Sequence, residues 1–241
     1  MEELVQESNC IHKFYPPTEN SLDSLLNHYF WFSKREYLND PFDLGNFRKG
    51  KRLLSMQQII SALLISYKFP DLSFGQINSM LPEYASCSFT RDLLNKQMWA
   101  YYARDYSGWC LSFSRGSLYR KQNSDLLPAI YVNDHLIPKT PIQSSLYGIT
   151  PAEQAIKQVL CTKHESWENE KEERLLLKLK SKTNGTKRLW GTFHLEAITI
   201  GNKISEPYRS ILTTIAQQNQ YPLYEIDLST QDFLLTTKRI L

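Results

Sequence analysis

Apolar positions along this chain follow two rhythms, and the changes between them mark out the elements. Ile11-His12-Lys13-Phe14-Tyr15 is an extended start that Pro16-Pro17 stops. Thr18 or Asn20 can then cap a short helix through Leu22, Leu25 and Leu26. The aromatic run Tyr29-Phe30-Trp31-Phe32 reads as a buried strand leaving that helix. In Asn39-Asp40-Pro41-Phe42-Asp43, Asn and Asp side chains can bond their own backbone and Pro41 fixes φ, which makes a shaped loop. From Ser55 to Tyr67 the apolar residues recur at helical spacing, and a second helix is expected near Phe74 to Met80.

The strand Ala85 to Phe89 leads into a helical stretch from Leu94 to Ala103 that should end near Gly108 in a left-handed cap. Trp109 to Phe113 looks like a core strand, Ala129 to Val132 another, and Pro138 to Leu146 a long loop. Thr150-Pro151 opens a helix reaching the Lys163 region. Beyond it the rhythm turns to strand at Arg174 to Lys180, with Asn184-Gly185 as the hairpin turn and Lys187 to Phe193 as the partner. A strand Ala197 to Ile200, a helix Glu206 to Gln218 and strands Leu223 to Leu228 and Phe233 to Thr237 complete the order. Strands and helices mixed in this way predict an α+β fold, a mixed sheet with packed helices, or a mixed-sheet α/β domain. With no repeat and no linker-like stretch, residues 1–241 are expected to form one domain.

Composition narrows the class only slightly. At 241 residues and 41% hydrophobic, the chain can bury a sizeable core, so disorder is not expected. No apolar run is long enough to span a bilayer, and the acidic start lacks a basic signal region, so a cytoplasmic protein is expected. A net charge of +3 does not imply nucleic acid without a clustered basic face. Cys10, Cys87, Cys110 and Cys161 are widely spaced and read as reduced thiols, and the Asn184-Gly185-Thr186 sequon then carries no glycan. The histidines show no metal-ligand spacing, so no metal site is expected.

Ionisable residues are densest from Lys163 to Arg174. One reading is a solvated helix end with i,i+4 pairs such as Glu170 with Arg174. The other starts the strand at about Glu170, which puts Glu170, Glu172 and Arg174 on one face. Two carboxylates held close, with an arginine to keep them ionised, can stabilise a developing sugar cation or hold a ribose hydroxyl. Trp99, Tyr101, Tyr102, Tyr106, Trp31 and Phe32 read first as core, and at a cleft mouth such rings can stack on a flat base. Asp134-His135 reads as a surface turn.

Ile11-His12-Lys13-Phe14, Phe32-Ser33, Leu38-Asn39-Asp40-Pro41-Phe42-Asp43, Met98-Trp99 with Tyr102-Ala103, Gly108-Trp109-Cys110-Leu111-Ser112-Phe113 and Trp167 with Glu170-Lys171-Glu172 and Arg174 follow one another in a set order. In that order the chain resembles the domain of unknown function 2971 family. The resemblance implies two departures: Tyr101 where the family usually has histidine, and Glu173 where an aromatic is common. The layout also looks like that of a divergent ADP-ribosyltransferase acting on NAD. On that analogy the catalytic residues are Glu170, Glu172 and Arg174. Lys13, Phe32, Ser33 and Trp99 would bind NAD, with Lys13 at the diphosphate and Phe32 or Trp99 on the nicotinamide. The alternatives are a non-enzymatic binding or regulatory module, in which the charged block is an ion-pair network, and a metal-dependent nuclease using Asp40, Asp43, Glu170 and Glu172.

Overall fold

The computed structural model describes residues 9–40, 43, 79–116, 125–132, 151–179, 184–190, 193–228 and 234–241. The helix expected over 55–67, most of that over 74–80, the loop 138–146 and Asp134-His135 lie outside these residues. Within them the fold is α+β, as the pattern of strands and helices predicts.

The first half opens with β1 (Cys10–Tyr15), α1 (Glu19–Leu26) and β2 (Tyr29–Ser33). The Thr18 hydroxyl caps α1 by accepting from the Ser21 amide at 3.2 Å. Next come β3 (Tyr84–Thr90), α2 (Lys96–Tyr101) and β4 (Trp109–Ser114). The Asn95 side chain caps α2, accepting from the amides of Gln97 and Met98. After α2 the chain does not end in a left-handed Gly108. Arg104, Asp105 and Tyr106 take the positive φ angles instead, at 46°, 53° and 63°. Gly108 is required for space, because a Cβ there would stand 2.0 Å from the Tyr15 carbonyl oxygen.

β5 (Asp125–Pro128), β6 (Ile130–Val132), α3 (Pro151–Cys161) and β7 (Thr162–His164) lead to a 3-10 helix over Glu165–Glu170 and then β8 (Glu172–Lys178). β9 (Gly185–Leu189), β10 (Leu195–Ile200), α4 (Glu206–Asn219), β11 (Leu223–Leu228) and β12 (Leu235–Arg239) finish the chain.

The main sheet runs β12-β11-β10-β4-β1-β3 and then forks. β8 pairs with β3 from Tyr84↔Lys178 to Thr90↔Glu172 and so fills one edge of β3. β1 and β2 share its other edge, meeting it at Thr90 and at Ser86. β5 pairs on the far side of β8, and β9 pairs with β2. The hairpin expected around Asn184-Gly185 is therefore not formed: β8 and β9 lie on different branches. Leu175 and Leu176 are buried, as suits a strand with neighbours on both edges, so β8 takes two long-range partners rather than a local one. β10 and β11 are parallel, joined across α4, and β6 and β7 form a separate parallel pair.

One core packs Phe30, Phe89, Phe113 and Trp190 with Leu111, Leu175 and Ile198. Phe30 makes edge-on contacts with Phe89 and Phe113 at 5.2 and 5.0 Å. A second cluster gathers Phe14, Met98, Trp99 and Ala103 under α2. All four cysteines are free, with Cys87, Cys110 and Cys161 buried. Among the described residues no helix is long and apolar enough to cross a membrane.

Candidate functional site

Strand alternation sorts the charged block. Glu172 and Arg174 point to one face of β8 and Glu173 to the other. Glu173, fully buried, meets Arg115 at 2.7 Å and Arg91 at 3.3 Å. On the opposite face, Arg174 is fully buried and spends its guanidinium inside the protein. Nε and Nη2 donate to the two Glu172 oxygens, each at 2.8 Å. Nη1 reaches Asp43 Oδ1 and the Leu160 carbonyl oxygen, each at 2.7 Å, and Nη2 also donates to Asp43 Oδ2 at 2.9 Å.

Glu170 is not on the strand. It ends the 3-10 helix, and Lys171 turns left-handed at φ 46° so that the chain can enter β8. The Glu170–Arg174 pair expected of a helix end is replaced by Glu172–Arg174, because no helix runs through these residues. Glu170 instead meets Lys163, whose Nζ lies 2.5 Å from Glu170 Oε2, 2.9 Å from Glu172 Oε2 and 3.8 Å from Asp43 Oδ2. The second Glu170 oxygen accepts from the Tyr102 hydroxyl at 2.7 Å, and that hydroxyl accepts from Asn39 at 3.2 Å. Thr90 Oγ1 donates to the Glu170 carbonyl oxygen and the Glu172 amide donates to Tyr131, which pins both backbone segments.

These contacts split the carboxylates electrostatically. Burial alone would raise Glu172, but Arg174 and Lys163 outweigh it and hold the carboxyl down at about 2. For Glu170 the balance goes the other way: burial raises it, and Lys163 and Tyr102 recover only part of the shift. Asp43 is likewise pushed up by burial against the pull of Arg174. Burial lowers Lys163, yet Glu172, Asp43 and Glu170 together raise it well above its ordinary value, so it remains an ammonium.

The cluster opens onto a hollow of about 130 Å³ at the fork of the sheet. Glu170, Glu172, Lys163 and Tyr102 form one side, and His12 and Lys13 of β1 line it as well. Lys13 Nζ donates to the Ser88 carbonyl oxygen at 3.1 Å. Burial lowers His12 to about 4, so the ring is neutral at physiological pH, and its Nδ1 lies 2.9 Å from Ser112 Oγ.

Of the residues singled out in the sequence, the fold gathers Glu170, Glu172, Arg174 and Lys13 in or directly behind this hollow. It does not bring Phe32, Ser33 or Trp99 there. Phe32 is buried in the main core, and Ser33 ends β2 opposite Ser86 and Gly185. Trp99 is wholly buried in the second cluster, edge-on to Phe14 at 5.0 Å and stacked on Tyr106 at 6.1 Å, with Nε1 donating to the Leu93 carbonyl oxygen. Neither ring faces the hollow, because each is needed to fill a core. Tyr101 is 70% exposed and lies outside the hollow.

The sequence reading gave Lys163 no part in the site and read Tyr102 as core or as a stacking ring, whereas its hydroxyl bonds Glu170. The signal for Lys163 was its place at the head of the charged block Lys163 to Arg174, just after the apolar run Val159-Leu160-Cys161. A metal would need the oxygens that Lys163 and Arg174 now occupy. Among the described residues no group of three or more His, Cys, Asp or Glu side chains is set to hold one.

Residues 98–175 match the family described as protein of unknown function (DUF2971). The matched segment runs from Met98 in α2 through Tyr102, Lys163, Glu170 and Glu172 to Leu175, and so contains most of the ionic cluster. No curated protein and no solved structure matches the chain.

Proposed function

We propose that the protein is a divergent ADP-ribosyltransferase-like enzyme that breaks the N-glycosidic bond of NAD at this hollow. The observation that carries the reading is the pairing of Glu170 and Glu172 on one lysine, beside the same hollow, with their pKa values driven apart. Two neighbouring carboxyls separated in this way suit one to a fixed charge and the other to proton transfer. Glu172 stays ionised and faces the positive charge that develops on the ribose as neutral nicotinamide leaves with the bond's electron pair. Glu170, its pKa raised by burial, is the more basic carboxylate of the two and in its ionised form takes the proton of the acceptor as it attacks the ribose carbon. The cationic pyridinium of NAD suits an acid-lined hollow, and Lys13 supplies a point charge for the diphosphate. Phe32, Ser33 and Trp99 have no part in this scheme.

Incubation with NAD, followed by chromatography for released nicotinamide and by transfer of labelled ADP-ribose, tests the proposal. The wild-type protein should release nicotinamide, and Glu170→Gln and Glu172→Gln should each lower the rate by about a hundredfold or more. Absence of both NAD binding and nicotinamide release would overturn it. A second reading, a non-enzymatic binding module, is favoured by one observation, that Arg174 places its donors entirely on protein groups. It expects the same two variants to lose stability with no activity to lose.

A further inference from the structure

The hollow is too small for a whole dinucleotide, since cavities that enclose drug-sized ligands run to about 300–1,000 Å³. Beside it lies a second, more open cavity of about 430 Å³. Its lining includes Asn39, Tyr101, Arg104, Asp105 and Trp167. Asn39 lines both cavities, and its side chain donates to the Tyr102 hydroxyl that in turn bonds Glu170. The Trp167 ring lies 5.0 Å from Lys163 Nζ, so it stands between this groove and the ionic cluster. The two cavities are therefore neighbours on one continuous surface.

We infer that this groove binds the adenine and proximal phosphate of the nucleotide whose other end enters the hollow, with Tyr101 and Trp167 supplying flat surface for the base and Arg104 meeting the phosphate. Tyr101 is a large ring left 70% exposed. An aromatic held in this way can stack on any base. Arg104 forms no ion pair with the described residues, whereas its acidic neighbour Asp105 is neutralised by Lys203 at 2.8 Å. The groove thus keeps a cation for an anionic group, while its one carboxylate, though exposed, is paired with Lys203.

The backbone supports the assignment. Three successive non-glycine residues, Arg104, Asp105 and Tyr106, are left-handed, a conformation costing about 1–2 kcal/mol each. The protein holds it with the Tyr106 amide on the Trp99 carbonyl oxygen, the Lys203 amide on the Tyr106 carbonyl oxygen and a Gly201 that leaves room beneath, where a Cβ would lie 1.9 Å from the Tyr106 oxygen. The turn fixes where Arg104 leaves the surface.

This inference deepens the NAD reading and rests on it for the occupant of the hollow, but it can be tested separately. Calorimetry should show AMP binding to the wild-type protein, with Tyr101→Ala and Arg104→Ala each weakening it about tenfold. Both residues are exposed, so the melting temperature should not move, and nicotinamide mononucleotide should bind the variants as it binds the wild type. In turnover, KM for NAD should rise in both variants while kcat is kept. If NAD is cleaved and these variants keep the wild-type KM, the groove assignment fails and the hollow's chemistry survives. If AMP binds in a Tyr101-dependent way but NAD is never cleaved, the groove assignment stands and the NAD reading falls. AMP that binds neither wild type nor variants overturns the inference outright.

Discussion

The molecule has two interiors built on opposite principles. Around Phe30 the packing is apolar: Phe89, Phe113 and Trp190 surround a ring with no polar atom to satisfy. Around Arg174, the residue next to the core's Leu175 on β8, the interior is ionic, and its groups are equally buried. The apolar core is non-directional and tolerates small changes of shape. The ionic core depends on each partner, because removing one leaves a desolvated charge behind. Such an arrangement is weak evidence for stability and better suited to fixing charge at a defined place, here the wall of a hollow.

The sharpest way to break the comparison is a matched pair of truncations. Arg174→Ala should cost about 3–5 kcal/mol by stranding Asp43 and Glu172, and Phe30→Ala about 3–5 kcal/mol by leaving a cavity. Their pH dependence should separate them. Lowering the pH protonates the stranded carboxyls and should relieve Arg174→Ala, whereas the cost of Phe30→Ala should stay flat. Equal pH dependence in chemical denaturation would show that the two interiors do not differ in kind.

Next in size is the acid limb of stability. Glu172 has its folded pKa depressed from 4.5 to about 2, so it contributes stability that is fully present above its unfolded value and is lost as pH falls from 4.5 through 2. The contribution is roughly 3 kcal/mol. Glu170 and Asp43, both raised, act in the opposite sense, since the fold binds their protons more readily than the unfolded chain does. Glu170→Gln removes one opposing group and should abolish its gain in melting temperature as pH falls toward 4.5 from above, while Glu172→Gln should flatten the decline below 4.5.

The apolar interior was the more legible of the two from the sequence. Phe30, Leu111 and Ile198 fall in runs whose rhythm identifies strands, and α4 and β11 fall where the pattern put them. Pairing was harder to read, because register and neighbour depend on contacts far apart in the chain. Asn184-Gly185 carried the strongest local turn signal, yet the glycine serves the approach of β9 to β2: a Cβ there would stand 2.5 Å from the Phe32 carbonyl oxygen. β5 went unread because its four residues form a strand only against β8. In the ionic interior, Glu172 and Arg174 followed from period-2 spacing. Lys163 did not, since nothing local tells a lysine on a short strand that the chain will turn back through Glu170 and Glu172 and bring in the remote Asp43 to surround it.

The smallest expected effect separates the interiors most finely. Tyr102→Phe deletes one hydroxyl that bonds Glu170 and Asn39, and should cost about 0.5–1.5 kcal/mol. Ile198→Val, which shaves one methylene from the apolar core, should cost about the same. Stability alone would then not distinguish them, but titration would. The Tyr102 hydroxyl stabilises the ionised form of Glu170, so its loss should raise that carboxyl further and carry the rising limb of any pH–rate profile to higher pH. The same displacement should appear in a carbon NMR titration of Glu170 whether or not the protein turns over NAD, and Ile198→Val should leave it unmoved. If Tyr102→Phe also leaves it unmoved, the phenol is only packing, and the ionic wall is less finely tuned than its geometry suggests.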